Sequence, residues 1–304
     1  MEFVVCNLCG STEGHLRFPS TLGTSGQLTS ESAFRCTSAG YGLHHAIVQC
    51  RQCGLVYANP RWEGAEVLDH YVAVEDPLYL EEREGRVLTF QRHLLPLHKL
   101  TGAPAGRRLL DVGAYVGVFV EIAQQAGWQA VGLEPSHWAV AEARKRGLEM
   151  LEGTLASAAL PEASFDVVTM WDVIEHLTDP MAELRRAYRV LKPGGWLVVH
   201  TMDISSLTAQ MMGARWPFLM EMHLFYFSRK TLGVMLDKAG FEVAGTHTQG
   251  RYLRLGYLAG RVKALWRPAG QIMEWIVYWL KLQTMPMAIN TLDLFTMYGR
   301  KPTV

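Results

Sequence analysis

Leu109-Leu110-Asp111-Val112-Gly113-Ala114-Tyr115-Val116-Gly117 is the stretch on which the fold of this chain turns. An apolar strand runs into a glycine-bearing turn. Val118 to Gln125 follows with helical spacing, and Val131-Gly132-Leu133-Glu134 ends a second strand on an acid 21 residues past Gly113. This is the layout of a nucleotide-binding βαβ unit. Glycine admits close backbone approach at the turn. A carboxylate at the tip of the second strand can accept two hydrogen bonds from a ribose diol. The pattern points to an adenosine-type cofactor and leaves open which one.

Downstream of this unit, strands and helices alternate. Strands are expected at 108–112, 129–133, 165–171, 196–200, 241–247 and 292–299, and helices at 117–126, 137–146, 180–191 and 229–239. Lys192-Pro193-Gly194-Gly195 reads as a tight turn feeding an apolar strand. Alternation of this kind implies an α/β fold, a Rossmann-like, doubly wound, mostly parallel sheet. Residues 61–105 carry helical periodicity, as in Phe90-Gln91-Arg92-His93-Leu94-Leu95, and form a helical lid or linker. Residues 106–304 form the main domain.

Residues 1–60 read as a separate module. Cys6-Asn7-Leu8-Cys9-Gly10 and Cys50-Arg51-Gln52-Cys53-Gly54 are matching knuckles, and Ser11–Gly42 between them reads as loop and short strands. Cys6, Cys9, Cys50 and Cys53 can close a tetrahedral thiolate shell, so the expectation is a structural Zn2+ in a zinc ribbon. Redox pairs or disulfides are the competing explanation. Cys36 is left over as a buried or idle thiol. The 304 residues suffice for a large domain plus a small module. Hydrophobic content of 49% with 19% charged residues fits a substantial core. A net charge of zero gives no support for nucleic-acid binding by bulk charge. Neither a signal peptide nor a spanning helix is expected, and paired cysteines of this kind suit a reducing compartment, so the expected location is cytoplasmic.

The motifs taken together resemble class I S-adenosylmethionine-dependent methyltransferases over roughly residues 107–248. Leu110–Gly117 resembles the glycine-rich first motif, and Gly132-Leu133-Glu134-Pro135-Ser136 the acidic second-strand motif. Glu152-Gly153-Thr154-Leu155 resembles the adenine loop. Phe165–His176 resembles the fourth-strand motif, and Leu191–Gly195 the turn before the fifth strand. His223–Ser228 resembles the segment leading into the next helix. A dehydrogenase would space its glycines as G-x-G-x-x-G, and no third glycine stands at the expected place.

The resemblance implies a set of cofactor contacts. Asp111, Gly113 and Gly117 border the methionine half, and Glu134 holds the ribose hydroxyls. Thr154 and Leu155 face adenine, although many relatives carry an acid where Thr154 stands. Trp171 and Asp172 face the sulfonium and the substrate. Tyr79, with Tyr71, Arg83 and Arg86, lies on lid helices from which an arginine or tyrosine could meet the methionine carboxylate. Tyr115 departs from the family pattern, which has glycine there. The intact flanking motifs favour a reshaped turn with Tyr115 lining the site over a site that binds cofactor weakly.

For the chemistry, a general base is expected at His176 or His223, with Asp172 or Glu175 orienting it and His200 a lesser candidate. Glu175-His176 resembles a pair in ubiquinone-pathway O-methyltransferases, where nearby acids can hold a divalent metal. The zinc ribbon fused to this core resembles bacterial enzymes of surface-polysaccharide and sugar modification. The expected reaction is O-methylation of a hydroxyl on a sugar, glycan or related small molecule. C- or N-methylation, on a sugar or a lipid-linked intermediate, and non-catalytic cofactor binding are the alternatives.

Residues 251–283 interrupt the alternation before the last strand. They interleave six basic residues with Tyr252, Tyr257, Trp266, Trp275, Tyr278 and Trp279. This composition suits a helical insertion that meets a membrane surface at the inner face, a partner copy in a homodimer, or the active site.

Overall fold

The computed structural model describes residues 1–22, 34–38 and 40–303. Part of the Ser11–Gly42 loop reading falls outside these residues. In chain order, β1 (Gly14–Phe18), β2 (Ile47–Cys50) and β3 (Val56–Ala58) precede α1 (Gly64–Ala73), α2 (Pro77–Glu81) and α3 (Arg83–Thr101). The alternating region then runs β4 (Arg108–Val112), α4 (Val118–Gln125), β5 (Gln129–Glu134), α5 (His137–Arg144), β6 (Met150–Glu152), β7 (Phe165–Trp171), α6 (Pro180–Val190), β8 (Leu191–Met202) and α7 (Leu207–Met212). After it come β9 (Phe225–Tyr226), α8 (Arg229–Lys238), β10 (Glu242–Thr248), β11 (Arg251–Arg254), α9 (Leu255–Leu265), α10 (Arg267–Trp279), β12 (Pro286–Ile289) and β13 (Leu294–Arg300).

Seven strands form the central sheet in the order β10-β13-β8-β7-β4-β5-β6. β4, β5, β6, β7 and β8 pair in parallel, and β13 runs antiparallel to both of its neighbours. This is the doubly wound sheet expected from the alternation. Side chains alternate across it. Leu110, Val112, Val168, Met170, Leu197 and Val199 pack on one face with α6 and α8. Leu109, Val167, Trp171 and Val198 pack on the other with α3, α4 and α5. Local chemistry sets the helix starts. Ser136 accepts the Ala139 N–H, Asp179 accepts the Ala182 N–H ahead of Pro180, and Ser228 with Thr231 forms a capping box.

Three details differ from the sequence expectation. Lys192–Gly195 does not precede the fifth strand but lies inside β8. There Phe165 opposes Leu191 while Val167 opposes Trp196, so the turn bulges out of register. β6 has only three residues, too short for any periodicity to reveal. The insertion before the last strand is not wholly helical, because β11 and β12 pair as an antiparallel ribbon that closes the base of α9 and α10.

The N-terminal module does not stand apart from the chain that follows. Its antiparallel sheet has the order β1-β2-β3-β9, so a strand from the main domain completes it. Tyr57 opposes Phe225, and the Ala58 N–H donates to the Leu224 carbonyl at 2.9 Å. Lys238 reaches the Leu8 carbonyl, and Asn7 bonds both Asp179 and the Met181 N–H. Cys6, Leu8, Leu55 and Tyr57 share one apolar core with α6 and α8. A small three-stranded piece cannot bury its own face, and the fourth strand and the helices cover it.

Candidate functional site

The carboxyl edge of β4, β5 and β7 gathers the residues singled out in the sequence. In open α/β sheets ligands bind at this edge. Glu134 ends β5, fully buried, and its two carboxylate oxygens accept the backbone N–H groups of Tyr115 and Ser136, each at 2.9 Å. Burial pushes this acid up to about 7, against the lowering effect of the two N–H donors. An ionised carboxylate has about four acceptor sites, so two remain for a diol.

Gly113 and Gly117 both have positive φ, +67° and +74°. A Cβ at Gly113 would meet Val173 Cγ2 at 2.5 Å, and one at Gly117 would meet Leu148 Cδ1 at 2.7 Å. The turn therefore needs glycine for its own packing as well as for backbone approach.

Tyr115 holds a backbone conformation that is costly for a residue with a Cβ. Its φ of +48° keeps the left-handed conformation that glycine would adopt. The ring packs edge-on to Tyr79 at 4.5 Å and near Trp138, in a cluster with Val116, Val118 and Ala139. The Tyr115 hydroxyl is buried with no hydrogen-bond partner among the described residues. Among the described residues seven other buried side-chain atoms share this condition, Trp171 Nε1, His93 Nδ1 and Arg86 Nε among them. The Arg86 guanidinium lies 3.5 Å above the Tyr79 ring. Each unpartnered buried polar atom costs ~1–3 kcal/mol unless something meets it. A diol acceptor, an arginine and several orphaned polar atoms along one edge fit an adenosine cofactor bearing a carboxylate.

Other expected contacts are placed as follows. Asp111 is buried and accepts the Thr169 hydroxyl at 2.6 Å. The Thr154 hydroxyl accepts the Ala156 and Ser157 N–H groups, so it holds its own turn. Leu155 is buried in the core that contains Leu133. Arg83 pairs with Glu121 at 2.5 Å. Tyr71 lies 6.3 Å from the His176 ring. Cys36 takes no part in the cysteine cluster. Cys36 is exposed, so the expected buried thiol is not what the structure shows.

His176 and His223 come together, with ring centroids 4.8 Å apart. His176 Nδ1 lies 3.0 Å from the Met222 carbonyl, and His223 Nδ1 lies 2.7 Å from the Phe218 carbonyl. A carbonyl only accepts, so each Nδ1 carries the proton, and each Nε2 is an acceptor with no hydrogen bond among the described residues. Loss of water pushes both histidines below their usual value, His223 to about 3. The buried Glu175 accepts the Thr201 hydroxyl at 2.9 Å. One ligand atom from each of Glu175, His176 and His223 falls within 4.8 Å of the others.

Asp172, at φ +54°, follows β7 and faces Arg251 at 3.5 Å and His200 Nε2 at 3.8 Å. The Asp172 carboxyl is partly exposed, and the Arg251 guanidinium beside it holds it below the usual carboxylate range. Burial lowers His200 to about 3, so His200 is neutral and the approach is not an ion pair. Sequence reasoning missed His93 and Arg251. The His93 ring lies 5.2 Å from Trp171 and 4.9 Å from His200, and its Nε2 meets the Gly250 carbonyl. The available signal was a histidine on the buried stripe of α3 beside Leu94 and Leu97.

The four knuckle cysteines also converge, all Sγ atoms within 4.8 Å of one another and none in a disulfide. Cys6 Sγ lies 3.4 Å from Cys53 Sγ, and Cys9 Sγ 3.5 Å from Cys50 Sγ. A tetrahedron of thiolates about 2.3 Å from a zinc ion has edges of about 3.8 Å, so the set fits such an ion closely.

Comparison with known proteins agrees with this geometry. A family model for a methyltransferase domain matches residues 79–245. A protein of Mycolicibacterium smegmatis named as a probable S-adenosylmethionine-dependent methyltransferase is 32% identical over 187 residues, 61% of this chain and 69% of that one. A ubiquinone biosynthesis O-methyltransferase of Rhodopseudomonas palustris is 34% identical over 126 residues, and the chain spans 48% of its length. Among solved structures, a complex of the Haloferax volcanii Trm112 methyltransferase activator with a methyltransferase gives a TM-score of 0.51 at 18% identity, covering 76% of this chain and 100% of that one. That last likeness shows the shared fold alone. With the family model spanning more than half of its length, the chain belongs to the S-adenosylmethionine-dependent methyltransferases.

Proposed function

We propose that the chain methylates a hydroxyl group on a small molecule, with His176 or His223 as general base. The observation that carries this reading is the histidine pair. Both imidazoles are pinned at Nδ1 by a carbonyl, both present a neutral Nε2, and both lie on loops beyond the carboxyl edge of the sheet. S-adenosylmethionine supplies a methyl group already activated on a sulfonium, so the protein's work is alignment, exclusion of water and removal of one proton. Glu134 holds the ribose diol, Arg86 takes the carboxylate, and Trp171 with Tyr115 walls the cleft. One histidine accepts the hydroxyl proton at Nε2.

A hydroxyl acceptor agrees with the names of the O-methyltransferase relatives. A sugar or glycan acceptor is the proposal for the substrate class, and it rests on the cysteine-module resemblance. Zn2+ in the Cys6, Cys9, Cys50 and Cys53 shell is proposed as a structural ion.

The test is methyl transfer from labelled cofactor to a panel of nucleotide sugars and phenols, read by product mass. His176→Ala and His223→Ala are compared with wild type, and cofactor affinity is measured by calorimetry. A large loss of turnover in either variant with cofactor affinity kept supports the base. Full turnover in both removes it. Glu175, His176 and His223 also have the spacing of a metal-ligand set. Turnover that is lost on dialysis against chelator, and restored by a divalent ion with the cysteine zinc intact, would move the assignment from base to metal ligand.

A further inference from the structure

α10 turns its apolar side the wrong way for a helix of a water-soluble core. Gly270 and Val277 are its buried positions. Ile272, Trp275, Ile276 and Trp279, spaced i, i+3, i+4 and i+7, form a stripe facing outward, flanked by Trp266 and Tyr278. The two stripe tryptophans are 66% and 71% exposed, with their rings nearly parallel at 13°.

The charges around the stripe are one-sided. Between Leu255 and Leu292 the chain has Arg261, Lys263, Arg267 and Lys281 but a single acid, Glu274. Glu274 is taken by Lys263 at 2.6 Å. Arg261 is taken by the Thr37 and Ser38 carbonyls, so α9 faces the protein while α10 faces away. Arg267 and Lys281 bracket α10 at its two ends, and among the described residues neither is in an ion pair.

We propose that α10 seats the protein on an anionic lipid bilayer, lying in the plane of the interface. Its 13 residues give about 20 Å, too short to cross a hydrocarbon core of about 30 Å. No helix among the described residues is long and apolar enough to cross. Tryptophan and tyrosine favour the headgroup boundary, and flanking basic residues meet anionic lipid. A second copy fits less well, because a two-fold pairing of α10 stripes sets the basic ends of one copy against those of the other, with no free acid to balance them.

The experiment is sedimentation of the full chain with phosphatidylcholine vesicles and with vesicles containing 30% phosphatidylglycerol. Binding to the anionic vesicles, weakened in 0.5 M salt, is expected. Trp275→Ser with Trp279→Ser should cut that binding at least about tenfold. Arg267→Glu with Lys281→Glu should remove the preference for anionic lipid, at about fivefold or more per charge. Cofactor affinity by calorimetry confirms that each variant is folded. The proposal is overturned if wild type binds neither vesicle, or if both variants bind as wild type does. It is also overturned if sedimentation velocity shows a dimer that the tryptophan variant dissolves while lipid binding is unchanged.

Discussion

The Glu134 carboxylate accepts the Tyr115 N–H at 2.9 Å, which ties the tip of β5 to the turn that follows β4. One oxygen of this buried carboxylate thus shapes the turn. If Glu134 holds the diol, Glu134→Ala should weaken S-adenosylmethionine and S-adenosylhomocysteine about 10- to 100-fold, the cost of losing charge-assisted bonds worth ~1.5–3 kcal/mol. A pH signature accompanies this. The acid is raised to about 7. Wild-type affinity should therefore rise between pH 6 and 8 as the carboxylate ionises, and Glu134→Gln should flatten that rise. Calorimetry across this range checks both, and unchanged affinity in Glu134→Ala sinks the assignment.

The Tyr115 hydroxyl gives a second, opposite pair of effects. It is buried without a hydrogen-bond partner among the described residues, so it costs the free protein stability. Tyr115→Phe keeps the ring against Tyr79 and removes that cost. The ligand-free variant should be more stable by about 1 kcal/mol or more in urea melts. If the hydroxyl meets the cofactor, the same variant binds it more weakly. Stability gained with no change in affinity would leave Tyr115 as packing alone.

These residues also show what the sequence could and could not disclose. The turn chemistry after β4, the acid ending β5 and the Ser136, Asp179 and Ser228 caps are local, so a reading of neighbours finds them. The alternating apolar runs of β4, β7 and β8 are local too. The two-residue β9 carries no signal, because it becomes a strand only by pairing with β3 from far upstream. His93 joins the site through rings on β7 and β8 and a carbonyl 157 residues away. The periodicity of α3 marks His93 as inward-facing beside Leu94 and Leu97, but not which distant groups it meets. The conformation of Tyr115 was likewise hidden, since the cost of a positive φ argues against the observed geometry unless the surrounding packing imposes it.

The bond from the Ala58 N–H to the Leu224 carbonyl carries the cysteine module to the residue after His223. β2 ends on Cys50, and β3 begins three residues after Cys53. If zinc holds this module, the loop bearing His223 depends on it. Cys50→Ser should release the metal, lower stability by about 3 kcal/mol or more, and reduce turnover. Cofactor affinity should fall by only a few-fold, because Glu134 and the Gly113–Gly117 turn lie on other elements. Elemental analysis and thermal melts check this; a full zinc complement or an unchanged melting point in the variant would count against it.

The histidine pair makes a statement about acid limits. Loss of water holds His176 below its ordinary 6.5 and His223 at about 3. A histidine of this kind is neutral at pH 7 and loses its acceptor site only when pH drops through its lowered pKa, although the lower that pKa the weaker the base. With cofactor saturating at every pH, so that Glu134 does not contribute, the acid limb of turnover should therefore lie below pH 6.5. A limb centred above pH 6.5 would point to another base.

Asp111 supplies a prediction about the free protein. It is buried on β4 beside β7, bonded to Thr169, and burial pushes its acid up from 3.8 to about 8. The folded state then keeps a proton that the unfolded chain gives up above about pH 4. With the folded pKa above the unfolded one, the folded state binds more protons through this window, so stability falls as pH rises from about 4 towards 8. The slope is at most about 1.4 kcal/mol per pH unit from this group. Asp111→Asn keeps an acceptor for Thr169 and cannot ionise, so it removes this part of the slope. Urea melts at pH 5 and pH 7.5 should show wild type losing stability between the two values, and the variant losing at least about 1 kcal/mol less. Equal losses in both would mean that Asp111 is already ionised in the folded protein at pH 5.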